Sequence, residues 1–139
     1  MARSDKYTNL TNKPVYYADF TNNLDLNKST GFLAKTTNEN SVKNSIKNLI
    51  FTRNGERFYQ PSIGSKVSSL LFDLITDPTS LALKNSIIEA IENHEPRAKI
   101  QTVELYPDPD HNGYKVGIIF NIINIPEDIV LNFFLDRVR

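Results

Sequence analysis

The chain has 139 residues, 16 basic and 16 acidic side chains and no cysteine, which suits one domain and excludes a disulfide, a thiolate zinc site and a cysteine nucleophile. Zero net charge gives no basic excess for nucleic acid or an anionic membrane. Mean hydropathy is −0.36, no run approaches the roughly 18 apolar residues of a spanning helix, and the polar opening Met1–Leu10 is no secretory signal.

Residues 1–38 are rich in Asn and Thr and carry scattered aromatics, Tyr7, Tyr16, Tyr17, Phe20 and Phe32, with no sustained period. They are expected to form an irregular arm packed on the body or on a partner, with a partly disordered tail as the alternative. Gly31-Phe32-Leu33-Ala34 reads as a short strand. Residues 39–139 read as a single α+β domain. Asn40 or Ser41 can cap a first helix, whose Val42, Ile46, Leu49 and Ile50 make one apolar stripe. Asn54-Gly55 is expected to stop it. The loop Gly55–Gly64 holds two glycines, a proline, the acid–base pair Glu56-Arg57 and the adjacent aromatics Phe58 and Tyr59, so it is expected to pack against something. Val67, Leu70, Leu71, Leu74 and Ile75 then have helical spacing. Asp77 suits an N-cap and Pro78 a first helical position. The third helix presents Leu81, Leu83, Ile87, Ile88, Ala90 and Ile91 and runs to about His94, where Pro96 ends it.

The remainder predicts an antiparallel meander of three strands, Lys99–Tyr106, Tyr114–Ile125 and Ile129–Val138, joined by a turn-rich segment from Pro107 to Gly113 and a tight turn at Pro126-Glu127-Asp128. Helices followed by a meander predict an α+β fold, three helices on a three-stranded sheet. One face is apolar: Val103, Leu105, Val116, Ile118, Phe120, Ile129, Leu131. The opposite face should be polar, yet it offers Ile119, Ile123, Val130 and Phe134. Either the N-terminal arm covers it, or it is a partner surface or strand-accepting edge.

Catalytic and metal signals are weak. Asp108, Asp110 and Asn112-Gly113 imitate the opening of a calcium loop, but Ile119 stands where the bidentate glutamate belongs, so a hairpin turn explains them better. His94 and His111 lack zinc-ligand spacing. Glu56, Glu89, Glu92 and Glu95 could converge only through the fold, and no nucleophile elbow, P-loop or dinucleotide fingerprint is present. Glu95-Pro96-Arg97 stands out: Pro96 fixes the chain at the helix end, and Arg97 can bond bidentately to a carboxylate or to carbonyls. A local cap and salt bridge would also explain it.

The order of motifs adds to this. Leu49-Ile50-Phe51-Thr52-Arg53-Asn54-Gly55-Glu56-Arg57, then Pro61-Ser62-Ile63-Gly64-Ser65, a Leu70-Leu71-Phe72 helix, and Glu95-Pro96-Arg97 entering a strand together resemble the small baseplate wedge protein family of contractile-tailed bacteriophages. That family is shared with type VI secretion baseplates and carries an old "lysozyme-like" label. The resemblance covers about residues 30–138 and departs at Asn54, where many members have proline or lysine. It implies a non-enzymatic structural subunit with no cofactor, placed in the virion tail baseplate after assembly in the host cytoplasm. The implied partners are the larger wedge proteins of the core bundle and tail sheath subunits, with tail tube or hub proteins as further candidates. By position, Glu95, Pro96 and Arg97 match a triplet that contacts the wedge core, and Gly55, Glu56, Arg57 and Gly64 match the loop that supports it. The sheet, with Val130, Asn132 and Phe134 on its last strand, matches a sheath-like strand-exchange domain that templates sheath polymerisation. A peptidoglycan hydrolase and a generic protein-binding adaptor are the competing readings.

Overall fold

The computed structural model describes residues 14–137; Tyr7, Val138 and the other residues beyond those bounds lie outside it. The fold is a mixed helix and antiparallel-sheet arrangement in the order β1 (Ala18–Phe20), β2 (Lys35–Thr37), α1 (Asn38–Phe51), α2 (Val67–Leu70), α3 (Asp77–His94), β3 (Ala98–Asp108), β4 (Gly113–Ile122) and β5 (Ile125–Asp136).

The arm is more regular than its sequence suggests. β1 and β2 pair antiparallel, Ala18 opposite Thr37 and Phe20 opposite Lys35. The expected strand at Gly31–Ala34 is reduced to a single Leu26–Leu33 bridge. The arm lies against α1, where Asn22 and Asn48 exchange side-chain amide bonds of 3.0 and 3.1 Å.

α1 begins earlier than its sequence cap candidates. Thr37 occupies the N-cap and Asn38 turns the corner from β2 with a left-handed φ of 49°. Ser41, expected near the cap, is instead buried inside the helix. The helix also stops before Asn54-Gly55: Thr52 at the C-cap returns both its N–H (3.0 Å) and its hydroxyl (2.6 Å) to the Asn48 carbonyl. The second helix shrinks to one turn. Ser69 donates its hydroxyl to the Lys66 carbonyl (2.7 Å) and the chain tightens into i→i+3 bonds at Phe72 and Asp73, the backbone competition expected of serine. Leu74, placed in that helix by spacing, is exposed. At α3 the N-cap is Thr76 rather than Asp77; its hydroxyl accepts the Thr79 N–H, and Pro78 still falls in the first turn. Leu81, at the helix start, is exposed and leaves the apolar face to Leu83, Ile87, Ala90 and Ile91.

The sheet has the order β3-β4-β5. Val103, Ile118 and Leu131 share one row and Ile100, Phe120 and Ile129 another. These residues meet Val42, Ile46 and Ile50 of α1 and Leu83, Ile87 and Ile91 of α3 in one core. The β4–β5 turn lies at Ile123-Asn124, not at Pro126–Asp128: Asn124 adopts a φ of 73°, a conformation asparagine tolerates. Pro126 instead sits inside β5 at a register shift between Asn121 and Ile122, where a bulge tolerates proline.

Burial assigns the energetics of the two faces. Phe120 is completely buried, and Phe120→Ala is expected to lower unfolding free energy by about 3–5 kcal/mol. Val130, on the outer face, is 51% exposed, and Val130→Ala should stay within about 0.5 kcal/mol. Urea unfolding of the two variants measures the contrast.

Candidate functional site

The Glu95-Pro96-Arg97 corner forms where α3 meets β3. Glu95 caps the helix with its N–H on the Ile91 carbonyl (2.8 Å), and its own carbonyl accepts from Ala98 (3.1 Å). This is a four-residue turn with proline at the position whose φ it pre-sets. The turn aims the Glu95 side chain inward, where the residue is only 3% exposed. One carboxylate oxygen accepts from Arg97 Nε (2.6 Å), and the other accepts from Arg97 Nη2 (2.8 Å) and from the Ser45 hydroxyl of α1. Burial by itself would raise the Glu95 pKa; the Arg97 and Ser45 hydrogen bonds and the guanidinium charge outweigh it and hold the pKa below its ordinary value. The same pairing raises that of Arg97.

Arg97 is also tied by its backbone and its ring neighbour. Its carbonyl accepts the Ile123 N–H (3.0 Å) from the β4–β5 turn. The Tyr17 ring lies with its centroid 5.5 Å from Arg97 Cζ, within cation–π range. Arg97 keeps 32% of its side chain in solvent. The local ion pair expected from sequence is therefore present, and it is the buried anchor of a cation that still reaches the surface.

The loop between α1 and α2 is stiff and does not join this corner. A parallel bridge links Arg53 to Ser65, Gly55 N–H bonds the Pro61 carbonyl (2.8 Å) and the Ser65 hydroxyl donates to the Ile50 carbonyl (2.6 Å). Gly64 has a φ of 147°, and a Cβ there would stand 2.8 Å from the Arg53 carbonyl group. Glu56 does not pair with Arg57: its carboxylate accepts the Arg53 N–H (2.9 Å), while Arg57 is exposed. Phe58 and Tyr59, expected to pack, are 96% and 100% exposed, because the bonds that close the loop fold its backbone and leave the tip outside. Gly64 and Ser65 face Glu89, Asn93 and His94 across a polar cleft of about 110 Å³. No hydrogen bond, ion pair or ring contact connects residues 55–57 with 95–97 among the described residues.

The outer sheet face forms a third region. Val130 pairs with Ile119, Asn132 with Gly117 and Phe134 with Lys115. The described part of the arm packs on α1 and leaves Val130 and Ile123 about half exposed. Phe134 is less open: it turns edge-on to His111, 6.5 Å between centroids, and lies across Gly113, where a Cβ would meet its Cζ at 2.5 Å. Beside it, Asp108 binds Lys115 Nζ (2.7 Å) and His111 Nδ1 (3.0 Å). The Lys115 bond and its histidine neighbour hold the Asp108 pKa down to about 2. Asp108 thus clasps the β3–β4 hairpin, with Asn112 at a φ of 52°. Ser45 and Tyr17, both in contact with the triplet, have no sequence signal of their own.

Known proteins share this fold. Residues 36–124 match the model of the family described as baseplate wedge protein gp25. The chain is 34% identical over 107 residues to baseplate wedge protein gp25 of Enterobacteria phage T4, covering 77% of this chain and 76% of that protein. Among solved structures, a chain of the anti-feeding prophage baseplate is similar at 28% identity and TM-score 0.69, over 80% of this chain and 89% of the other. Two more share the fold. A Geobacter sulfurreducens protein described as a tail lysozyme has 22% identity and TM-score 0.68, over 73% of this chain and 92% of that one. A chain of the postcontracted pyocin R2 baseplate has 15% identity and TM-score 0.51, over 81% and 96%.

Two outcomes follow from the corner and the loop. The folded Glu95 pKa lies below the ordinary 4.5, so the unfolded chain binds this proton first as pH falls. The carboxylate's contribution is complete above 4.5 and is lost as pH drops through the lower folded value. Urea midpoints of wild type and Glu95→Gln across acid pH should therefore converge as pH falls. Gly64→Ala should destabilise by about 1–3 kcal/mol through backbone strain, read by the same unfolding measurement.

Proposed function

This chain belongs to the baseplate wedge protein gp25 family, and from that premise we propose that it joins the larger wedge proteins through Arg97 and templates the tail sheath on its three-stranded sheet. It is a structural subunit of a contractile-tail baseplate and works by assembly rather than catalysis. Assembly takes place in the host cytoplasm, and the tail tube or hub proteins are further candidate neighbours.

The observation that carries the wedge contact is the Glu95–Arg97 fork. A buried carboxylate uses both oxygens to hold a guanidinium that remains one-third exposed. A guanidinium held in this way by Nε and Nη2 keeps Nη1 for an oxygen acceptor on a partner. The loop of Gly55, Glu56 and Gly64 supports a separate contact, because it is braced internally while Arg57, Phe58 and Tyr59 project from it; exposed aromatics and arginine are residue types that anchor interfaces. Strand addition is supported by the sheet order, which leaves β5 at an edge, and by the half-apolar outer face around Val130. Main-chain pairing along such an edge with side-chain contact on the face is a known mode of recognition.

Glu95 argues against the hydrolase reading. A glycosidase general acid needs a raised pKa, whereas Glu95 is ion-paired and its pKa is lowered.

Arg97→Ala would strand the buried Glu95 carboxylate and confuse folding with assembly. Arg97→Lys keeps a cation there and removes the fork. It is expected to fold with a native circular dichroism spectrum and to fail to enter wedges; normal incorporation would sink the proposed contact. Asn132→Pro removes one main-chain donor from β5. It should leave wedges intact and abolish sheath of normal length, as scored by electron microscopy of the tails.

A further inference from the structure

Tyr17 lies outside residues 36–124, the stretch matched to the family, yet among the described residues it is the aromatic ring that meets the triplet's guanidinium, 5.5 Å from Arg97 Cζ. Several bonds fix its position. Its hydroxyl donates to the Ile123 carbonyl (3.2 Å), and the N–H of that same residue donates to the Arg97 carbonyl (3.0 Å). One residue of the β4–β5 turn, Ile123, thus holds both the ring and the arginine backbone. On its other side the Tyr17 carbonyl accepts the Asn38 N–H (2.8 Å), and the Asn38 side chain accepts the N–H groups of Tyr16 (2.9 Å) and Tyr17 (3.4 Å). The ring itself is half-buried against the main core.

The guanidinium needs such a wall. Glu95 engages Nε and Nη2, which fixes two N–H bonds but leaves the group able to hinge about the line joining the two carboxylate oxygens. A ring against one face removes that hinge. An aromatic face attracts the cation without using its N–H groups, so Nη1, which has no hydrogen-bond acceptor among the described residues, stays available. Asp19, the second residue after Tyr17, adds attraction from the same arm.

We propose that Tyr17 is a positioning residue for Arg97, so that the partner-binding corner is a composite of the N-terminal arm and the α3–β3 turn, presenting Nη1 to an acceptor oxygen of the partner. The inference rests on the reading of Arg97 as the wedge contact. It adds that Tyr17 of the arm, outside the matched stretch, sets the geometry of that contact.

The test uses the full chain labelled with 15N-arginine, the Arg97 Nε–H resonance being identified by its loss in Arg97→Lys. Tyr17→Phe keeps the ring and removes the bond to Ile123; Tyr17→Leu removes the π face. The Arg97 resonance should be retained in Tyr17→Phe and displaced in Tyr17→Leu. Incorporation into wedges should fall roughly tenfold in Tyr17→Leu and stay near wild type in Tyr17→Phe. An unmoved resonance in Tyr17→Leu overturns the proposal, as does a moved resonance with wild-type incorporation. Equal loss in both variants also overturns it, by assigning the effect to the hydroxyl. Normal incorporation of Arg97→Lys would instead bring down the wedge-contact reading, while the resonance still decides whether Tyr17 positions Arg97.

Discussion

A carboxylate taken out of water must be met by donors or it will bind a proton, and the corner between α3 and β3 is organised around that requirement. Glu95 is met from α1 by Ser45 and from its own turn by Arg97. The helix layer is thereby pinned to the start of the sheet by a group that tolerates little displacement. Pro96 makes the arrangement local, since the turn it enforces sets Glu95 inward and Arg97 outward within three residues. The backbone of Arg97 then reaches the β4–β5 turn through Ile123, so this one corner ties the end of α3, the start of β3 and a distant hairpin together.

The same corner explains how a small subunit can present a fixed cation. An exposed arginine on a flexible stem would lose conformational freedom when it binds. Here Glu95 holds the guanidinium by two bonds, with the Tyr17 ring 5.5 Å from its Cζ. The loop tip at Phe58 and Tyr59 is built on the same plan by other means: backbone bonds and Gly64 close the loop, and the aromatics stand on a braced frame. The outer sheet face differs again. It is partly apolar at Ile119 and Val130, while Phe134 is folded down over Gly113 and Lys115 is drawn to Asp108.

The similarity to a protein described as a tail lysozyme concerns the fold, and folds carry function only through their sites. An ion-paired, low-pKa glutamate beside an arginine that is one-third exposed lacks the raised pKa of a general acid.

The α+β order, the apolar faces of α1 and α3, the three-stranded meander and the family were legible from the residues alone, because periodicity and short motifs are local properties written in consecutive residues. The sequence also marked Glu95-Pro96-Arg97 as a rigid corner. It misplaced what depends on competition between neighbours: α2 stops after one turn because Ser69 bonds the backbone, the β4–β5 turn falls at Asn124 because asparagine accepts a left-handed φ, and Pro126 is absorbed by a bulge. It expected Phe58 and Tyr59 to be packed, whereas they stand exposed, since exposure depends on how the loop closes. That Glu95 is buried, that Ser45 and Tyr17 contact the triplet and that the described arm pairs with itself beside α1 emerge from the folded chain. These are contacts between residues far apart in the chain, and a side chain's partner is set by packing and desolvation, for which one sequence carries no local signal.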